Sequence, residues 1–104
     1  MATFRSRLPT GLINSGELPK HIGRRVRTAG LVATGRHAKT EDGRDMQFIT
    51  LEDEYGLMDV TLFPGSCPLV PHLALGPYLV TGTVEEQYDV VTLTAERFER
   101  AFLK

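Results

Sequence analysis

From Arg24 to Glu99 the chain is built of short stretches rich in Val, Thr, Leu, Phe and Tyr, cut at close intervals by Gly, Asp and Pro. That punctuation leaves no room for a long helix and is the pattern of an all-β domain. Five strands are expected, over 24–38, 44–53, 56–64, 77–87 and 89–99. Their connections restrict how they pair. Lys39-Thr40-Glu41-Asp42-Gly43 is a polar loop ending in Asp-Gly, suited to a hairpin between strands one and two. The turn 53–56 joins strands two and three, with Gly56 available for a positive φ. Tyr88-Asp89 is a tight turn between strands four and five. Only the link from strand three to strand four is long. There Leu69, Val70, Leu73 and Leu75 have the spacing of one short helix, which Pro68 and Pro71 hold to about two turns.

Three antiparallel strands, a helical link and a final hairpin are the connectivity of the OB-fold, a five-stranded Greek-key barrel. Gly30 lies in the middle of a first strand too long to stay flat, and a glycine there permits the bend by which one strand serves both halves of a barrel. Met58, Val60 and Leu62 alternate with polar residues, as do Val91, Leu93 and Ala95, while strand four offers Val80, Gly82 and Val84. One apolar face per strand means one core. The 104 residues suit a single domain. Residues 1–23 read as an irregular lead-in with at most a short helical turn at Ser15 to Leu18, 24–100 as the barrel and 101–104 as a tail. Phe98 and Phe102 are expected to pack the lead-in against the barrel.

Charge is divided along the chain. Residues 1–44 carry nine basic side chains against three acidic ones, and the remaining sixty residues three against ten, for a net charge of −1. A basic half kept on one face attracts phosphate in spite of the neutral total. Cys67 is the single cysteine, which excludes an intramolecular disulfide and a Cys-rich zinc site. No apolar run approaches membrane-spanning length, and the first residues lack the apolar stretch of a secretory signal, so a soluble, cytoplasmic monomer is expected.

The runs GRRVRTAGLV, MQFITLEDEYGLMDVTLFP, GPYLVTGTVEE and VVTLTAERFE resemble the OB-fold domain near the C-terminus of the alpha subunit of bacterial DNA polymerase III, including its error-prone relatives. The phrase Phe48-x-x-Leu51-x-Asp53-x-x-Gly56 is also similar to the wider nucleic-acid-binding OB group that includes the anticodon-binding domains of class II aminoacyl-tRNA synthetases. The likeness spans residues 18–99. It departs from the polymerase pattern after the first strand, where Gly35-Arg36-His37-Ala38-Lys39-Thr40 stands in place of an Arg-Gln-x-Pro-x-Thr-Ala stretch. The resemblance implies a non-catalytic domain, a fragment or free-standing relative of a much longer polymerase. Its expected partner is single-stranded DNA or RNA, with other polymerase domains or replisome proteins as further partners.

No cofactor and no catalytic group is expected. Glu52, Asp53 and Glu54 are the densest acidic cluster, but in a turn Asp53 is expected to accept backbone hydrogen bonds rather than hold a metal. His21, His37 and His72 share no metal-binding spacing, and Cys67 beside Pro68 reads as an inert buried thiol. Nucleic-acid binding has more support. OB-folds take single strands across strands two and three and the one–two and four–five loops. Arg36, His37, Lys39 and Arg44 bracket the one–two loop, and Arg27 is exposed on strand one if Val26 and Thr28 point inward. Phe48 is a base-stacking platform if Ile49 and Leu51 fill the barrel, and a core residue if the strand is bulged. Phe63 and Tyr88 are further stacking candidates. The alternatives are a protein-interaction module and an RNA- or tRNA-binding domain.

Overall fold

Alternating side chains in the five segments produce strands β1 (Arg25–Lys39), β2 (Asp45–Asp53), β3 (Gly56–Leu62), β4 (Pro77–Gln87) and β5 (Val90–Arg100). They close into a barrel in the order β1-β2-β3-β5-β4, the arrangement of an OB-fold. The structure is a computed structural model that describes residues 11–63, 65 and 77–100. The helix expected between strands three and four, together with Cys67, His72 and Phe102, lies outside them.

The barrel closes because β1 changes partner along its length. Its first half pairs antiparallel with β4, from Arg25 opposite Thr83 to Leu31 opposite Pro77. Its second half pairs with β2, from Leu31 opposite Glu52 to Lys39 opposite Asp45, with an irregularity between Val32 and Thr34. Gly30 sits at the crossing, where a Cβ would lie 2.9 Å from the Glu52 carbonyl oxygen. A side chain there would push β2 away from the strand that must bend around it. Gly82 is under a stricter constraint: a Cβ would stand 2.2 Å from the Thr94 carbonyl oxygen, at the bulge where Thr81 faces Arg97 and Gly82 faces Ala95. A short parallel ladder, Asp59 to Thr92, Val60 to Leu93 and Thr61 to Thr94, joins β3 to β5 and completes the ring.

Inward positions follow the period of two. Ile49, Leu51, Met58, Val60, Leu62, Val80, Val84, Leu93 and Ala95 form the core with Val26. Burying each of the larger of these side chains is worth about 1.5–3 kcal/mol. Tyr78, buried at the start of β4, stacks on Phe98 with ring centroids 4.8 Å apart.

The lead-in is part of this core. Residues Ser15–His21 form a 3-10 helix, the one helix among the described residues, placed before β1. Asn14 donates its backbone N–H to Glu17 Oε1 at 3.1 Å, and the Glu17 amide returns to the Asn14 carbonyl at 3.0 Å. Leu18 is turned into the barrel and is 3% exposed. Ile13 bridges to Thr28 on β1, and the buried Thr28 hydroxyl donates to the Ile13 carbonyl at 2.7 Å. Two residues on from Ile13, Ser15 donates its amide to Asp53 Oδ2 at 2.7 Å and its hydroxyl to Asp53 Oδ1 at 2.7 Å.

Candidate functional site

The outward positions of β2 and β3 form a floor because paired residues share a face. Arg36 faces Phe48, Phe48 faces Thr61 and Thr61 faces Thr94, a row across four strands. Ile49 and Leu51 fill the barrel, at 1% and 0% exposure, and β2 keeps an unbroken register with β3 from Gln47 to Asp53. Phe48 therefore stands on the outer face, half-buried. The Arg36 guanidinium carbon lies 4.7 Å from the centre of its ring, a cation–π contact across the β1–β2 ladder.

Two compartments meet at Phe48. One, about 220 Å³, runs between Arg36, Phe48, Thr50, Asp59 and Thr92. The other, about 390 Å³, is lined by Met46, Phe48, Phe63, Glu85 and Thr94, and Thr61 and Thr92 border both. Phe63, at the end of β3, is 37% exposed at the rim. Tyr88 lies beyond the groove at the tip of the β4–β5 hairpin and is 97% exposed. Its φ of 52° and the 65° of Asp89 are both in the left-handed region. Two such residues make the turn a hairpin-compatible one that favours Asn-Gly, so a bulky ring there is held at a local cost.

The candidate cations are distributed unequally. Lys39 Nζ pairs with Asp45 Oδ1 at 2.6 Å, and Arg44 Nε with Asp42 Oδ2 at 3.0 Å. The hydrogen bond and charge of Lys39 hold the Asp45 carboxyl below its usual range. Asp42 is lowered too, by a hydrogen bond from the Thr40 hydroxyl and then by the Arg44 charge. All four groups are exposed, and pairs of this kind contribute little, so a phosphate can exchange with the carboxylate. His37 is exposed on β1 near Asp45. Arg27 is exposed, with Val26 and Thr28 turned inward, but it belongs to a different groove with Arg24, Arg25 and Arg97. The structure thus brings Arg36, Phe48 and Phe63 together, places Lys39, His37 and Arg44 at one end and Tyr88 on the adjoining hairpin, and separates Arg27 from all of them.

Sequence reasoning did not single out Met46, Thr50, Asp59, Thr61, Glu85, Thr92 or Thr94. The outward threonines were legible as alternation, but their convergence depends on the parallel β3–β5 pairing, which no local signal announces. Asp53 is committed to structure. Burial raises its carboxyl, but hydrogen bonds from the Ser15 hydroxyl and amide and from the Tyr55 and Gly56 amides outweigh that and hold it below 3.8. Oδ1 receives the Tyr55 amide at 2.8 Å and the Gly56 amide at 3.1 Å.

Known proteins resemble this chain in sequence or in the form of the barrel. No protein-family model matches the chain. An error-prone DNA polymerase of Ruegeria pomeroyi is 35% identical over 101 residues, 95% of this chain. The chain is homologous to one segment of the error-prone DNA polymerases. A second such polymerase, from Symbiobacterium thermophilum, is 30% identical over 82 residues, 75% of the chain. This polymerase-like segment spans only 9% and 8% of those two proteins. Among solved structures, asparaginyl-tRNA synthetase from Pyrococcus horikoshii with bound asparaginyl-adenylate superposes with a TM-score of 0.71 at 18% identity, over 88% of this chain and 22% of that one. An OBody bound to hen egg-white lysozyme gives 0.66 at 19% identity, over 92% and 96%. At those identities the likeness concerns the barrel alone.

Proposed function

We propose that the segment is a non-catalytic OB domain that binds single-stranded DNA, acting within or derived from a polymerase of the error-prone kind. The observation that carries this reading is Phe48, an aromatic ring on the outer face of β2 beneath an open groove, with Arg36 stacked on it. A base approaching the ring displaces the guanidinium, which is then free to meet the neighbouring phosphate. Threonine hydroxyls at positions 50, 61, 92 and 94 supply polar walls without reading one base over another, and sequence-tolerant stacking is the mode by which such grooves hold single strands. At one end Lys39 and Arg44 exchange their carboxylate partners for phosphate. Polymerase homology supports DNA as the strand.

The test is a fluorescence-anisotropy titration of a labelled single-stranded DNA at low salt. Phe48→Ala is expected to cost about 1–3 kcal/mol of binding, the range for one stacked base. The logarithmic salt slope should be nearly unchanged, because no phosphate contact is lost. A melting curve separates this from unfolding. Equal binding by the variant and the wild type would refute the assignment. Preference for RNA over DNA would move the reading to an RNA-binding domain, and absence of binding by any oligonucleotide would move it to a protein-interaction module.

A further inference from the structure

A groove larger than either compartment at Phe48 lies elsewhere on the barrel. It measures about 800 Å³ and lies where β1 pairs with β4, lined among others by His21, Arg24, Arg25, Arg27, Arg97 and Glu99. It shares no lining residue with the Phe48 compartments. Its charge follows from register. Val26 and Thr28 point into the barrel, so Arg25 and Arg27 point out. Arg27 faces Thr81, and Thr81 faces Arg97 across the next ladder. Two strand spacings place the Arg27 and Arg97 backbones about 10 Å apart on one face. Arg25 is tied to Glu96 at 3.1 Å and Arg97 to Glu99 at 3.7 Å, while Arg24 and Arg27 have no carboxylate partner among the described residues.

Four guanidiniums on a concave surface, two of them without a carboxylate partner among the described residues, call for a polyanion. Arginine forks match phosphate oxygens in geometry as well as charge. Among the described residues the lining offers no exposed aromatic and no large apolar anchor; Val26 is core, and Ile13 is packed against it. A protein-docking surface needs such anchors at its centre, and base stacking needs a ring. What remains is contact with a sugar-phosphate backbone, which positions a strand without reading it.

We propose that this arginine groove is a second, base-independent anchor for a nucleic-acid strand, on a surface separate from the Phe48 groove. The ligand class rests on the nucleic-acid reading above, whereas the site does not use its residues. The Phe48 groove holds bases with phosphate contacts at its edge and the arginine groove holds backbone alone, so a strand that reaches both is bound by two independent surfaces.

The probe is an abasic single-stranded oligomer of about twelve sugar-phosphates, compared with a normal oligonucleotide of the same length, a size within the usual reach of one OB domain. The full chain carrying Arg24→Gln, Arg27→Gln and Arg97→Gln together is expected to lose about tenfold or more in affinity for the abasic strand. Its logarithmic salt slope should flatten by about 2, from three contacts at about 0.7 each. Phe48→Ala should bind the abasic strand within about twofold of wild type while losing affinity for the normal strand. Melting curves establish that each variant is folded; should the triple variant unfold, Arg27→Gln alone is expected to lose one contact, about 0.7 of slope. Unchanged abasic binding by the arginine variants overturns the proposal and leaves the Phe48 reading standing. Normal-strand binding that depends on the arginines but not on Phe48 supports the proposal and refutes the Phe48 reading. A polyglutamate peptide that binds the groove when the abasic strand does not overturns it in favour of an acidic protein partner.

Discussion

Asp53 shows how one side chain fixes the relation of two distant pieces of chain. It closes the β2–β3 turn through the Tyr55 and Gly56 amides and grips Ser15 of the 3-10 helix, 38 residues away in sequence. Because its carboxyl titrates below 3.8 when folded and near 3.8 when unfolded, its stabilisation is complete above that value and is lost as pH falls through the lower, folded one. Ser15→Ala is expected to cost about 1.5 kcal/mol near neutrality, the low end for a hydrogen bond to a charged group. The difference from wild type should shrink below pH 3.8, since a protonated Asp53 has less to lose; urea melts across pH 2 to 7 would show it. A constant difference over that range would mean that Asp53 does not supply the acid-sensitive part of the stability. The role in the turn was readable from the spacing of Asp53 and Gly56. The grip on Ser15 was not, because it is a tertiary contact with no local sequence signal. Phe48 was ambiguous in the sequence for a related reason. Met46, on the same outward face, is also apolar, and only the unbroken β2–β3 register and the burial of Ile49 and Leu51 decide which face is the core.

Among the elements, β1 and the β4–β5 hairpin depart furthest from regular strand geometry. Gly30 and the length of β1 announced the change of partner, and the alternation in β3, β4 and β5 announced their inward faces. The bulge opposite Gly82, where Glu96 is left without a partner residue on β4, had no such signal. The hairpin tip is more telling. Tyr88 and Asp89 occupy left-handed backbone that Asn-Gly would fill with less strain. Replacing them as Tyr88→Asn with Asp89→Gly is expected to raise stability by about 1 kcal/mol by relieving that strain, measured as a shift in denaturant midpoint. If the exposed ring stacks on a base, the same variant binds single-stranded DNA about tenfold more weakly, within the range for one stacked base. A variant that gains stability and binds as before would make Tyr88 a solvent-exposed turn residue with no part in recognition.

At the scale of the whole molecule, the basic side chains of β1 and its flanks fall, among the described residues, on two surfaces rather than one basic face. Arg36 borders the Phe48 groove, Lys39 and Arg44 lie further along β1 and the β1–β2 loop with Asp45 and Asp42 as their partners, and Asp59 and Glu85 lie in the groove walls. Arg24, Arg25, Arg27 and Arg97 gather on the other side of β1. Counting residues along the chain could show that the first 44 are basic; it could not show that β1 divides its own arginines, because its first half pairs with β4 and its second with β2. Affinity at the Phe48 groove should therefore be modest and rest on stacking more than on charge. The most direct measurement is amide chemical-shift mapping of the full chain with a single-stranded DNA of about six nucleotides, short enough to occupy one groove. Saturable shifts centred on Arg36, Phe48, Thr61, Phe63 and Thr92 are expected. A strand that binds while leaving the amides of those five residues unmoved would contradict the assignment of this face as the base-binding site.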